Sequence, residues 1–165
     1  MKLERLFEGK ENRLYFLDGR ELPVAETAAS AEDLIHHTIM PDEKKALAVA
    51  VTWSLVGKDE DSYNEDFLAA FRDALKELEE KNLFAIIVPV ADCECKTDSQ
   101  KENLTLSMKH CARRIKDCKS VIGFYVPFEA DASFFMEELS AKHAHYVFFS
   151  NEESLLKDKT IARLS

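Results

Sequence analysis

The sequence predicts an α/β fold with a mostly parallel sheet of about five strands, flanking helices and an N-terminal β-hairpin. Three observations predict it. Strand-length apolar runs recur from residue 46 onward, each followed by a polar stretch and an amphipathic helix, the alternation that parallel strands need for their crossovers. Asp18-Gly19 sits between two apolar runs, and this pair readily supplies the positive φ angles of a tight turn. The 165 residues, 46% of them hydrophobic and eleven of them Phe, suit a single domain spanning 1–165, with the hairpin at 13–24 and βα repeats over 46–165.

Taken in order, Arg13 to Val24 forms the hairpin around Asp18-Gly19. Ser30 and Asp33 make a capping box for a helix that runs to Met40-Pro41, where proline stops it. Ala46 to Trp53 is continuously apolar and β-branched toward its end, as a strand covered on both faces should be. A second box at Ser62 and Glu65 opens a helix in which Phe67, Phe71, Ala74, Leu75 and Leu78 share one face and Glu77, Glu79, Glu80 and Lys81 face water. Phe84 to Val90 is the next buried strand, followed by a helix with Leu104, Met108, Cys111, Ile115 and Cys118 in one stripe. Ser120 to Val126 is a third strand, and Asp131 caps a helix carrying Phe134, Phe135 and Leu139. His145 to Phe149 is a fourth strand, and Ser150 or Asn151 starts a last helix with Leu155, Leu156 and Ile161.

Composition excludes several classes. With 31 acidic against 22 basic residues, the net charge of −9 opposes binding to a phosphate backbone, so no nucleic-acid partner is expected. No run approaches the ~20 apolar residues of a membrane span, and charges interrupt the first ten residues, which predicts a cytoplasmic protein without a membrane partner. Four cysteines are too few and too uneven for a secreted disulfide framework and are read as free thiols. No glycine-rich phosphate loop and no Gly-x-Ser-x-Gly elbow occurs, so the sequence predicts no cofactor and gives no support to a serine hydrolase.

In parallel sheets ligands collect beyond the carboxyl ends of the strands. There, Val51-Thr-Trp53, the acidic loop, Ser62 to Leu68, the long helix and the strand from Asn82 resemble strands two and three of cellulase-type (family 5) glycoside hydrolases. Lys116 to Glu129 resembles that family's fourth strand, which ends in Asn-Glu-Pro with the Glu as acid/base, and the hairpin with Asp18-Gly19-Arg20 resembles its opening. The resemblance covers about residues 13 to 130, favours a truncated or partial (β/α) barrel over the open sheet that the βα pattern equally allows, and implies Glu129 as the catalytic acid/base. Trp53 and Asp92, at strand ends, are the candidate substrate-binding residues.

The chain departs from the family at positions that face sugar. Its strand-two Arg, strand-three His and the Asn before the acid/base are Ala48, Val90 and Phe128 here, each apolar. An eight-stranded barrel takes ~250 residues, so a barrel of 165 is incomplete and no residue matches the nucleophile. Glycoside hydrolysis requires two carboxyl groups, ~5 to 9.5 Å apart according to stereochemistry. Glu152 supplies the second only if its strand neighbours that of Glu129, at ~4.8 Å; the preferred reading has Glu152 and Glu153 favouring the N-terminus of the last helix.

The expected function is therefore a glycosidase-like pseudoenzyme that serves as a non-catalytic binding or assembly module; the alternative is a reduced active glycoside hydrolase with Glu129 as acid/base and Glu152 or an acid from a second subunit completing the pair. Carbohydrate and protein both stand as partners. A partial barrel leaves two sheet edges that need cover, which predicts a homodimer.

Other candidate chemistry is weaker. Cys93-Glu-Cys95 with His110-Cys111 has one intervening residue where structural zinc pairs have two to four, and Cys111 lies on an apolar stripe, so no metal site is predicted. His36-His37 and His143/His145 are read as solvated or partly packed. Trp53 is left open between a sugar platform and core.

Overall fold

The computed structural model describes residues 3–39 and 41–164. Strands β1 (Phe7–Lys10) and β2 (Arg13–Phe16) form an antiparallel hairpin. Strands β3 (Ala29–Ser30), β4 (Leu47–Thr52), β5 (Ala85–Val90), β6 (Val121–Tyr125), β7 (Val147–Ser150) and β8 (Ala162–Arg163) form one parallel sheet of six strands, arranged side by side in chain order. The sheet is open and does not close into a barrel.

A sequential strand order with right-handed crossovers sends every connecting helix to the same face. That face carries α1 (Ala31–Ile35), α2 (Trp53–Val56), α3 (Glu65–Glu80), α4 (Asp98–Arg114) and α5 (Ala132–Ser140), packed on Val49, Val51, Ala85, Ile87, Val121 and Phe124. The period-2 alternation of strand side chains turns Ile86, Ile122, Val147 and Phe149 to the other face, where Phe7 and Leu14 of the hairpin and Leu22 cover them. Phe7 meets Phe16 and Phe84 with ring centroids 4.9 Å apart. The hairpin thus occupies the face that a closed barrel would turn inward.

Caps place the helices. Ser30 accepts from the Asp33 amide, Thr97 and Gln100 form a reciprocal capping box, and Asp131 accepts from the Phe134 amide. In α3 the cap is Asn64, two residues beyond the expected Ser62, whose hydroxyl instead serves the Asp59 turn. Asn82, at φ 57°, gives α3 a left-handed stop, and the Leu83 amide donates to the Leu78 carbonyl at 2.9 Å. His37, at φ 59°, follows α1 soon after its end at Ile35; the expected end, Met40, lies outside the described residues.

Two local expectations change. The regular hairpin turns at Glu11-Asn12, both at positive φ (52° and 62°), while Asp18-Gly19 makes a second reversal that returns Leu22 to bond Leu14 at 2.9 Å. The last segment is not a helix: Leu155–Lys157 is a single 3-10 turn, and Ala162–Arg163 pairs with Phe149 and Ser150 as β8. Leu156, within that turn, and Ile161, just before β8, are both buried, so their apolar character reports burial and not a helical face.

Both sheet edges are two residues long. At β8 the hairpin tip closes the edge: the Asn12 carbonyl accepts from the Arg163 amide at 2.9 Å, and Asn12 Nδ2 donates to the Ile161 carbonyl at 2.7 Å. Edge pairing therefore sets no requirement for a second subunit at that side.

Candidate functional site

The carboxyl ends of β4 to β7 converge on one rim of the sheet, with the register Thr52↔Val90 and Tyr125↔Phe149 aligning successive ends. Beyond them lie Ser54, Asp92, Cys93 and Cys95, then Phe128 and Glu129, then Asn151 and Glu152.

β6 and β7 are neighbours, which brings the Glu129 and Glu152 loops to adjacent strand ends. Tyr125, on the last position of β6, lies under the influence of both. Burial first, then the negative charges of Glu152 and Glu129, raise its phenol pKa, while the Asn151 amide hydrogen bond opposes them. Glu152 is oriented by its own amide, which donates to the buried Ser150 hydroxyl at 3.0 Å. Its carbonyl accepts from the Leu155 and Leu156 amides of the 3-10 turn, so the helix whose N-terminus it was expected to favour is absent. Glu153 instead pairs with Arg163 at 2.9 Å.

The substrate-binding candidates have other roles. Trp53 is 3% exposed, inside the helix-side core, with Nε1 donating to the buried Ser107 hydroxyl at 3.2 Å; that hydroxyl in turn donates to the Gly57 carbonyl at 2.7 Å. It offers no ring face to a sugar. Asp92 accepts from the Ser54 amide at 2.9 Å and from the Ser54 hydroxyl, and these bonds outweigh desolvation to hold its pKa below the usual carboxylate value. Thr52 precedes α2 without a side-chain cap, and Asp92 from the neighbouring strand end supplies one to Ser54 in the first turn. Ser54 has a carboxylate partner but, among the described residues, no histidine to take its proton, so the pair is a cap rather than a nucleophile.

The positions that replace the family's sugar-facing residues differ in fate. Ala48 is buried, whereas Val90 is 39% and Phe128 is 75% exposed, giving the rim two apolar side chains in water. In the sequence these residues register only as losses, because their exposure depends on where the β5 and β6 loops go.

The thiols divide into two classes. Cys93 and Cys95 are half-buried near the rim, their pKa values raised by burial and by the Asp92 and Glu129 charges respectively. Cys111 and Cys118 lie in the core, where burial pushes each up to about 12. His110 stacks on Tyr63 at 4.1 Å and bonds Glu65, so it and Cys111 do not join the rim cysteines. Among the described residues no group of three or more His, Cys, Asp or Glu side chains is placed to hold a metal ion. Nor is any helix among them long and apolar enough to cross a membrane. Neither protein-family models nor curated proteins match the chain.

Proposed function

We propose that this protein is a non-catalytic binding or assembly module built on a glycosidase-like α/β scaffold. The observation that carries the reading is the exposure of Phe128 and Val90 at the strand carboxyl ends, where the resembled enzymes place sugar-binding polar groups. An exposed aromatic ring is a contact surface for a sugar face or for an apolar patch on a protein, and it needs no chemistry from its neighbours. With the β8 edge already closed, self-association through this rim is a better route to a homodimer than strand pairing at that edge.

Sedimentation equilibrium reads self-association, and titration with cellopentaose reads carbohydrate binding. Phe128→Asp should abolish whichever signal the wild type gives, and Glu129→Gln should leave it unchanged. The reading fails if neither signal exists in the wild type or if Phe128→Asp has no effect.

The second reading, a reduced glycoside hydrolase, draws on the adjacency of β6 and β7 and on Tyr125 feeling both Glu129 and Glu152. In it Glu129 is the acid/base and Glu152 the second carboxylate. Cellopentaose hydrolysis that Glu129→Gln abolishes without unfolding the protein would replace the binding-module reading.

A further inference from the structure

The opposite end of the sheet, at the amino ends of β6 and β7, holds a cavity of about 290 Å³. It is near the lower end of the ~300–1,000 Å³ range of small-molecule sites. Its walls are mostly hydrocarbon: Leu3 and Leu6 from the segment before β1, Phe7 from the hairpin, and Val121 and Ile122 from β6. Leu6 is 43% exposed. The segment carrying it is tied down by the Arg5 guanidinium, which donates to the Ala144 carbonyl at 2.7 Å, and by the Leu6 carbonyl, which accepts from the Leu17 amide at 3.2 Å.

Two polar groups border this wall, one solvated and one without any partner. Lys119 spends its backbone amide on Glu79 at 2.8 Å, which fixes the chain, but its ammonium has no partner among the described residues. His145 packs against Tyr146 with ring centroids 4.6 Å apart, and its Nε2 is closed off from water without a hydrogen bond. Burial and the nearby Arg5 charge lower the pKa of His145, so the ring is neutral near pH 7. Glu4, the one acid in the wall, is exposed. An apolar cavity with an unpaired cation and an orphaned imidazole nitrogen is chemically lopsided. A neutral hydrocarbon leaves the imidazole nitrogen unmet and makes no use of the solvated ammonium at the rim, and an amine is repelled by Lys119.

We propose that this cavity binds a small organic monocarboxylate, its hydrocarbon body among the Leu3, Leu6, Phe7, Val121 and Ile122 side chains and its carboxylate on the Lys119 ammonium. In the Nε2-protonated tautomer, His145 donates to the same carboxylate once the Leu6 segment shifts to admit the ligand. The site is separate from the strand carboxyl ends, and its occupancy does not rest on the binding-module reading.

The test is titration of isotope-labelled protein with octanoate, octanol and octylamine at neutral pH, following the Val121, Ile122 and His145 amides and the His145 ring. Octanoate should shift these signals saturably, octanol should bind about tenfold more weakly, and octylamine should not bind. Lys119→Ala, at an exposed side chain with no bond to lose, should bring octanoate down to the octanol level. Leu6→Trp, filling the mouth, should block both. Phe128→Asp should change none of this. Equal affinity for octanoate and octanol, an unchanged affinity in Lys119→Ala, or no saturable shift with millimolar octanoate would each overturn the proposal.

Discussion

Acidification should destabilise this protein through His143 before its carboxylates titrate. His143 is 5% exposed, stacked on Tyr146 with centroids 5.0 Å apart, and meets His145 at 6.3 Å. Desolvation first, then His145 and Lys116, push its pKa down from 6.5 to about 4. The unfolded chain accepts a proton near 6.5, whereas the folded chain resists it until about 4. Stability is therefore full above the unfolded value and falls as the pH drops through that window, where the unfolded state binds more protons. The whole shift corresponds to about 3 kcal/mol, and screening by solvent reaching the ring's edge brings this to about 2 kcal/mol. Glu65 and Asp117, held low chiefly by bonds from His110 and Arg72, lose their contribution at lower pH and do so equally in wild type and variant. Urea unfolding followed by fluorescence of the single, buried Trp53 measures the effect between about pH 7 and pH 4.5 in wild type and in His143→Phe, which keeps a ring against Tyr146. The wild type should lose about 2 kcal/mol more than the variant across this range. Parallel curves would refute the reasoning.

Four further outcomes follow from the geometry. Asp92→Ala should cost about 1 kcal/mol by uncapping α2, read by urea unfolding, with no change in any affinity measured at the rim. Gly123→Ala should cost about 1–3 kcal/mol, because a Cβ there would lie 1.7 Å from the Val147 carbonyl oxygen at the point where β6 shifts register, and the two strands must part. In the native state a thiol reagent should modify Cys93 and Cys95, more slowly than a free thiol because their pKa values are raised, and Cys111 and Cys118 only on unfolding, counted by mass spectrometry. Phe128→Asp should leave stability within about 0.5 kcal/mol of wild type, since three quarters of that residue already faces water; a larger loss in a melting curve would mean the ring is packed.

Local chemistry made the α/β class readable. The apolar runs at β4, β5, β6 and β7 and the stripe of α3 carry their periodicity in the sequence, and Ser30 and Asp131 cap helices because their side chains reach amides only three residues away. Signals failed where a side chain had two local partners to choose from. The Ser62 hydroxyl took the Asp59 turn and left Asn64 to cap α3, and two turn-forming pairs, Glu11-Asn12 and Asp18-Gly19, competed for one expected hairpin.

The sequence by itself determined that strands and helices alternate, that one face of each helix is apolar, and that Glu129 and Glu152 follow strands. It did so because these properties depend on spacing within a few residues. Only the tertiary structure decided that β6 and β7 are neighbours, that β8 is a strand, that Trp53 turns into the core toward Ser107, and that Asp92 is consumed by Ser54. Those outcomes join residues 38 to 54 positions apart for Asp92 with Ser54 and Trp53 with Ser107, and still farther for the hairpin tip and β8. A partner at that range is chosen by how the layers pack. No propensity or motif at either end specifies it.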